Sequence, residues 1–144
     1  MIVYAESSGI LAWLLGEPTA EAVRSTLTSA ERVVASSLTA VECARGLVRA
    51  RASGRITAKD ELAALRLLDV AAASWDVHLL TDRVLARARF RFPVEPVRTL
   101  DALHLATAIR FFETLGPVTV LSFDERIRAN ATALGLDVLP DSQS

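Results

Sequence analysis

Short apolar runs alternate along the chain with longer segments whose apolar residues recur every three or four positions. The runs are Ile2 to Ala5, Arg32 to Ser36 (RVVAS), Trp75 to Leu79, Val118 to Ser122 (VTVLS) and Asp137 to Leu139. They are too short for helices and favour β-branched residues, so they read as strands. The longer segments read as helices. Ser7 or Ser8 caps the first, through about Leu15; Gly16-Glu17-Pro18 breaks it, and Pro18 is placed to start the next, about Thr19 to Thr28. Ser37 or Thr39 opens a third, to about Ala52, closed by Gly54. Thr57 begins a fourth over Ala58 to Ala73, where Leu62, Leu65, Leu68 and Val70 recur at helical spacing. Thr81 caps Asp82 to about Arg89, and Phe92 to Pro96 is loop. Helices follow at about Thr99 to Leu115 and Glu125 to Leu134, the latter stopped by Gly135. This alternation predicts an α/β fold: a central, mostly parallel sheet of four or five short strands, covered on both faces.

Composition narrows the class. No repeat, low-complexity tract or linker interrupts the 144 residues, which suit one domain spanning 1–144. The apolar share is 51% and the mean hydropathy +0.34, high for a small soluble protein. Such a surplus fits a large core or an apolar surface reserved for a partner. The longest apolar stretch near the N-terminus, Ile10 to Leu15, lies between Glu6 and Glu17 with no basic residue before it. It reads as neither a signal peptide nor a membrane span. Cys43 is the only cysteine, so no internal disulfide forms and a reducing cytoplasm is the expected compartment. The net charge of −1 does not announce a nucleic-acid binder. Lys59 is nevertheless the only lysine among 16 basic residues. Arginine suits bidentate contacts to phosphate or carboxylate, although codon bias explains the excess equally well.

In open α/β sheets, sites lie outside the carboxyl ends of the strands. That rule selects four acids. Glu6 follows the first strand, Asp124 follows VTVLSF, Asp101 sits in the first turn of TLDALHLATAI, and Glu42 lies in the helix after the second strand. Each also has a structural reading. Asp101 complements a helix dipole, Asp124 caps the helix at Glu125, and Glu42 is solvated and paired with Arg45 or Arg49. Glu6 is harder to dismiss, because glutamate is not a favoured cap and the adjacent serines serve that role. Acids gathered at one sheet edge repel one another unless a cation neutralises them. Oxygen-only ligands suit Mg²⁺ or Mn²⁺ rather than zinc.

Other residues bear on the same region. His104 lies three residues after Asp101 on nearly the same helix face, and reads best as a hydrogen-bonded structural residue between Leu103 and Leu105. Gly46, four residues after Glu42, leaves open space beside that carboxylate. RARFRF (Arg87 to Phe92) interleaves arginine with aromatics, as single-stranded nucleic-acid grooves do, but also fits a helix end complementing its dipole. Arg45, Arg49, Arg51 and Arg55 flank an RNA path or a solvated face. Leu11, Trp13, Leu14, Leu15, Val23 and Leu27 on the first two helices belong to the core or to a groove.

The ordered segments MIVYAESSGILAWLLGEP, SSLTAVECARGLVRA, RTLDALHLATAIRF and VTVLSFDERIRANATALGLDVLP resemble those of the PIN-domain ribonuclease family, VapC-type toxins of type II toxin–antitoxin systems. The resemblance spans essentially the whole chain. It implies a PIN-like three-layer α/β/α domain and a metal-dependent endoribonuclease that hydrolyses RNA with a metal-activated water. It implies Mg²⁺, or Mn²⁺, held by Glu6, Glu42, Asp101 and Asp124. It also implies a cognate VapB-type antitoxin seated in the apolar groove of the first helices, and a homodimer or a heterotetramer or larger assembly with that antitoxin. The departure is Glu6, where the family has aspartate. An alternative follows: a PIN fold that binds RNA or antitoxin but cleaves poorly. A phosphoacceptor receiver domain wants a lysine near its acids, and Lys59 lies in a helical region. A haloacid-dehalogenase-like phosphatase wants Asp-x-Asp after the first strand, which Glu6-Ser7-Ser8 does not supply.

Overall fold

The computed structural model describes residues 1–141; the last three positions of the expected 1–144 domain lie outside it. Among the described residues the strands are β1 (Ile2–Ala5), β2 (Arg32–Ser36), β3 (Asp76–His78), β4 (Thr119–Leu121) and β5 (Asp137–Leu139). The helices are α1 (Ser7–Leu14), α2 (Ala20–Ser29), α3 (Ser37–Ala52), α4 (Ala58–Ala72), α5 (Asp82–Ala88), α6 (Thr99–Leu115) and α7 (Glu125–Ala133). All strand pairs are parallel, in the order β3-β2-β1-β4-β5. The chain grows outward from β1 to β2 and β3, then returns to β1's other side for β4 and β5. The strand order therefore reverses between β1 and β4, where open α/β sheets open their crevice.

Alternation along the strands builds the layers. Tyr4, Val34 and Val120 point to one face and pack with Leu105, Phe111 and Ile127 of α6 and α7. Val3, Ala5, Ala35 and Leu121 point to the other, against Ile10 of α1, Val23 of α2, Cys43 of α3 and Leu68 of α4. The result is the expected three-layer α/β/α arrangement. Most of the apolar surplus on α1 and α2 is core: Val23 is buried, Trp13 and Leu27 pack partly covered against its cluster, and Leu11 and Leu14 pack against the cluster around Ile10. In α4, by contrast, the periodic set is divided. Leu68 is buried while Leu62 and Val70 are exposed, because small Ala64 supplies the close contact instead.

Two glycines set how tightly the helices sit. A Cβ on Gly9 would meet the Leu121 carbonyl oxygen at 3.0 Å and its Cγ at 3.1 Å, so α1 crosses the end of β4 almost backbone to backbone. Gly9→Ala is expected to push α1 off the sheet, at about 1–3 kcal/mol. Thermal denaturation should show Tm lowered by about 3–9 °C. Gly46 corrects an expectation. A Cβ there would lie 2.7 Å from Leu11 Cδ1, so the space beside Glu42 is filled by α1 rather than left open.

Candidate active site

The carboxyl ends of β1 and β4 are laced together around Glu6. The chain turns there from extended to helical backbone, and Glu6 itself is the N-cap of α1. The expected caps, Ser7 and Ser8, lie inside the helix. Glu6 Oε2 accepts hydrogen bonds from the Ser8 amide at 3.1 Å, from Ser122 Oγ at 2.7 Å and from Ser8 Oγ. Ser8 Oγ accepts in turn from the Phe123 amide at 2.8 Å, and Ser122 Oγ from the Asp124 amide at 3.0 Å. The side chain of Glu6 is thus buried and immobilised, with Oε1 outside these bonds.

Asp124 caps α7, accepting from the Ile127 amide at 3.0 Å through Oδ1. Asp101 is the third residue of α6, where a carboxylate complements the helix dipole. Its Oδ2 is buried and has no hydrogen-bond partner. Arg98, the N-cap residue of α6, approaches both acids: Nε lies 3.6 Å from Asp101 Oδ2, and Nη2 3.9 Å from Asp124 Oδ2. The preceding loop is pinned. Glu95 accepts from the Phe92 and Val97 amides, and Asn130 exchanges two hydrogen bonds with the Val94 backbone. These bonds fix where α6 starts, and so where Asp101 stands.

Glu42 is not the solvated partner of Arg45 or Arg49. Its Oε1 accepts from Ser7 Oγ at 2.8 Å and is bonded to His104 Nε2. Burial opposes its ionisation, but the His104 hydrogen bond and charge, the Ser7 hydroxyl and the Arg49 charge outweigh it. The carboxyl is held below its ordinary value and is an anion at neutral pH. α3 is capped not by Ser37 or Thr39 but by Ser36, which accepts from the Leu38 amide at 3.1 Å.

All four acids line one cleft of about 660 Å³, together with Arg45, Arg49 and Arg98. As placed, no group of three or more acidic, histidine or cysteine side chains among the described residues is gathered to hold a metal ion. Each carboxylate is drawn to a chain partner instead: serines, His104, the Ile127 amide or Arg98. The donor chemistry nevertheless fits a hard divalent cation. The set is oxygen-only, and Asp101 Oδ2 is a buried anionic atom lacking the hydrogen bond that would otherwise compensate its desolvation.

Several participants were not legible in the sequence. Ser122, Ser7 and Arg98 carry no motif of their own and meet the acids mostly through long-range contacts, and Tyr4 reaches Glu42 only through His104. His104 was read as structural; it is buried, and bonded to an acid of the cleft. RARFRF does not line the cleft. Its Arg87 guanidinium stacks 4.2 Å over the buried Phe92 ring. Burial, then the charges of Glu6 and Glu42, push the Cys43 thiol up to about 12, so it stays a protonated core residue.

Comparison with known proteins agrees with this architecture. The PIN domain family model matches residues 3–133. Ribonuclease VapC46 of Mycobacterium tuberculosis (strain ATCC 25618 / H37Rv) is 36% identical over 140 residues, 97% of this chain and 98% of that protein. Ribonuclease VapC35 of Mycobacterium tuberculosis (strain CDC 1551 / Oshkosh) is 27% identical, covering 99% of each chain. Among solved structures, a chain of FitAB bound to an IR36 DNA fragment shares the fold with a TM-score of 0.64 at 17% identity, covering 100% of both chains. PAE2754 from Pyrobaculum aerophilum does so with a TM-score of 0.62 at 19% identity, covering 96% of this chain and 92% of that one. The family match over most of the sequence, the relative above one-third identity and the all-parallel α/β/α layering lead to one assignment: the chain belongs to the PIN-domain family, and within it to the VapC type.

Proposed function

We propose that this chain is a metal-dependent endoribonuclease toxin that hydrolyses RNA phosphodiester bonds in the acidic cleft. The observation that carries the reading is the buried Oδ2 of Asp101, which accepts no hydrogen bond, in a cleft that also holds Glu6, Glu42, Asp124 and three arginines. The full-length relation to a protein named a ribonuclease supports the reaction class. Glu6, Asp101 and Asp124 would hold Mg²⁺ or Mn²⁺, with Glu42 completing the cluster or orienting the attacking water. The cation, when bound, supplies a water of lowered pKa and charge to offset that developing on the phosphate.

The chain's own residues do the rest. Arg45, Arg49 and Arg98 give the cleft a positive rim that draws the phosphodiester backbone toward the acids. Serine hydrogen bonds hold Glu6 against the β1–β4 junction. The start of α6 presents Asp101 from a rigid element rather than a loop. Glu42 stays ionised and ready to accept a proton or a hydrogen bond from water.

The partner reading follows the same lines. A VapB-type antitoxin would lay an apolar segment into the furrow between the end of α1 and α4, lined by Leu14, Leu15, Ile56, Ala63 and Leu67. The protein acts as a single domain, and as a homodimer that assembles further with the antitoxin. No helix among the described residues is long and apolar enough to cross a membrane.

Purified protein is expected to cleave single-stranded RNA with Mg²⁺ or Mn²⁺, to stop when EDTA is added, and to resume when the cation is returned in excess. Cleavage that persists in EDTA would remove the metal from the mechanism.

A further inference from the structure

The acidic cleft has a buried polar back wall. Tyr4 of β1 is fully buried, and its hydroxyl lies 2.7 Å from His104 Nδ1. The two rings meet edge to face at 5.9 Å. His104 is 1% exposed. Its other nitrogen, Nε2, is bonded to Glu42 Oε1, which also accepts from Ser7 Oγ at 2.8 Å. Ser7 of α1 and His104 of α6 thus converge on one carboxylate oxygen of Glu42 in α3, and Tyr4 of β1 stands behind His104.

Proton placement gives this chain one direction. As a carboxylate, Glu42 has no hydrogen to give and only accepts, here from Ser7 Oγ and His104 Nε2. Nε2 must therefore carry the proton it donates. With Nε2 committed to Glu42, Nδ1 is the nitrogen that faces the Tyr4 hydroxyl at 2.7 Å. The ring is therefore held at both nitrogens, and rotating it breaks both bonds. The consequence falls on Glu42. Oε1 is doubly occupied, while Oε2 accepts no hydrogen bond from the described residues and belongs to a side chain lining the cleft.

We infer that Tyr4, His104 and Ser7 are positioning residues that lock Glu42 in one rotamer and reserve its Oε2 for the cation or the attacking water. This rests on the ribonuclease reading given above. It assigns work to a buried polar chain that a purely apolar packing of the same layer would not need. Hydrogen bonds behind a carboxylate ligand fix its orientation, and their loss typically lowers metal affinity or activity about 10- to 100-fold.

The test compares His104→Leu, His104→Gln and Tyr4→Phe in the full chain. Leucine keeps apolar bulk without a donor; glutamine returns an amide donor near the Nε2 position. Three quantities are measured: kcat and KM on RNA, the Kd for Mn²⁺ by calorimetry without RNA, and Tm. His104→Leu is expected to lower kcat about 10- to 100-fold with KM within about twofold, and to weaken Mn²⁺ about tenfold. His104→Gln should recover most of both, and Tyr4→Phe should fall between. A merely structural histidine would lower Tm and leave kcat and Kd unchanged in the folded fraction. That result overturns the inference, as does equal loss in the Leu and Gln variants. If His104→Leu fails to fold, Tyr4→Phe decides: unchanged kcat and Kd overturn the inference, and a joint fall supports it. A wild-type protein that neither cleaves RNA nor binds Mn²⁺ sinks the parent reading itself, whereas an active wild type with indifferent variants sinks only the positioning chain.

Discussion

Asp101→Asn is expected to lower metal-dependent RNA cleavage by at least about a hundredfold while leaving the fold intact. The two halves have separate causes. Asparagine keeps the shape of the side chain but removes the charge, and the charge is what a hard cation requires. Little stability depends on that charge. Its helix-dipole benefit is about 0.3–1 kcal/mol. Its ion pair with Arg98 is 3.6 Å long and open at the arginine, so it contributes roughly 0–1 kcal/mol. Against both stands the desolvation of Oδ2, which is buried with no hydrogen bond to compensate it. The balance is near zero, so Tm should stay within about 3 °C of wild type or rise. A functional site that is locally unfavourable gains stability when its charge is neutralised and loses its chemistry. Cleavage assays and thermal denaturation on one preparation check both halves. Unchanged cleavage would show that Asp101 is not part of the site; lost cleavage with a collapsed Tm would show that its role is structural.

The sequence carried the layer arrangement because the five strands are short, β-branched and flanked by helical periodicity. Hydrophobic period and length together leave little freedom in such segments. β1, β2 and β5 fall on their expected bounds, and β3 and β4 are shorter by the flanking residues. Caps were harder to read. In SSLTA and ESSG several residues one position apart could start a helix, and the choice depends on where the backbone turns from extended to helical. Ser36 and Glu6 occupy those turns, not the serines that follow them. The α4 stripe misled for a related reason: with alanines spread around the helix, leucine spacing does not identify the face that packs.

The site divides in the same way. The strand-end rule leads directly to Glu6 and Asp124, because it depends only on where parallel strands stop, while Glu42 and Asp101 stand on helices that reach the same cleft. What each acid touches is a matter of long-range geometry. Tyr4 and His104 are 100 residues apart, and Ser122 and Glu6 are 116 apart. No local pattern announces such pairs. The sequence therefore offered a cluster of carboxylates needing a cation, whereas the structure shows each one already tied to a neighbour.

Glu6→Ala is expected to combine the losses that Asp101→Asn separates. It removes the cap of α1, about 1 kcal/mol. It also strands the Ser122 and Ser8 hydroxyls at a buried junction, for roughly 1–3 kcal/mol more. Tm should fall by about 4–14 °C, and cleavage by at least about a hundredfold. Glu6→Asp is the sharper experiment, because it restores the acid usual in the family. The extra methylene of glutamate costs roughly 0.5 kcal/mol in side-chain freedom. Here that freedom is already restrained by the bonds to Oε2, and the 2.7 Å bond from Ser122 Oγ spans from the end of β1 to the residue after β4. Aspartate caps helices well but is one methylene short of that reach. Glu6→Asp should therefore lower cleavage, by about tenfold, rather than raise it, with Ser122→Ala giving a similar loss and the double variant little more. A large gain in Glu6→Asp would mean that glutamate impairs the site. A fall would mean that the longer acid and the serine across the sheet work as one unit, which explains why this chain places a glutamate where its first strand ends.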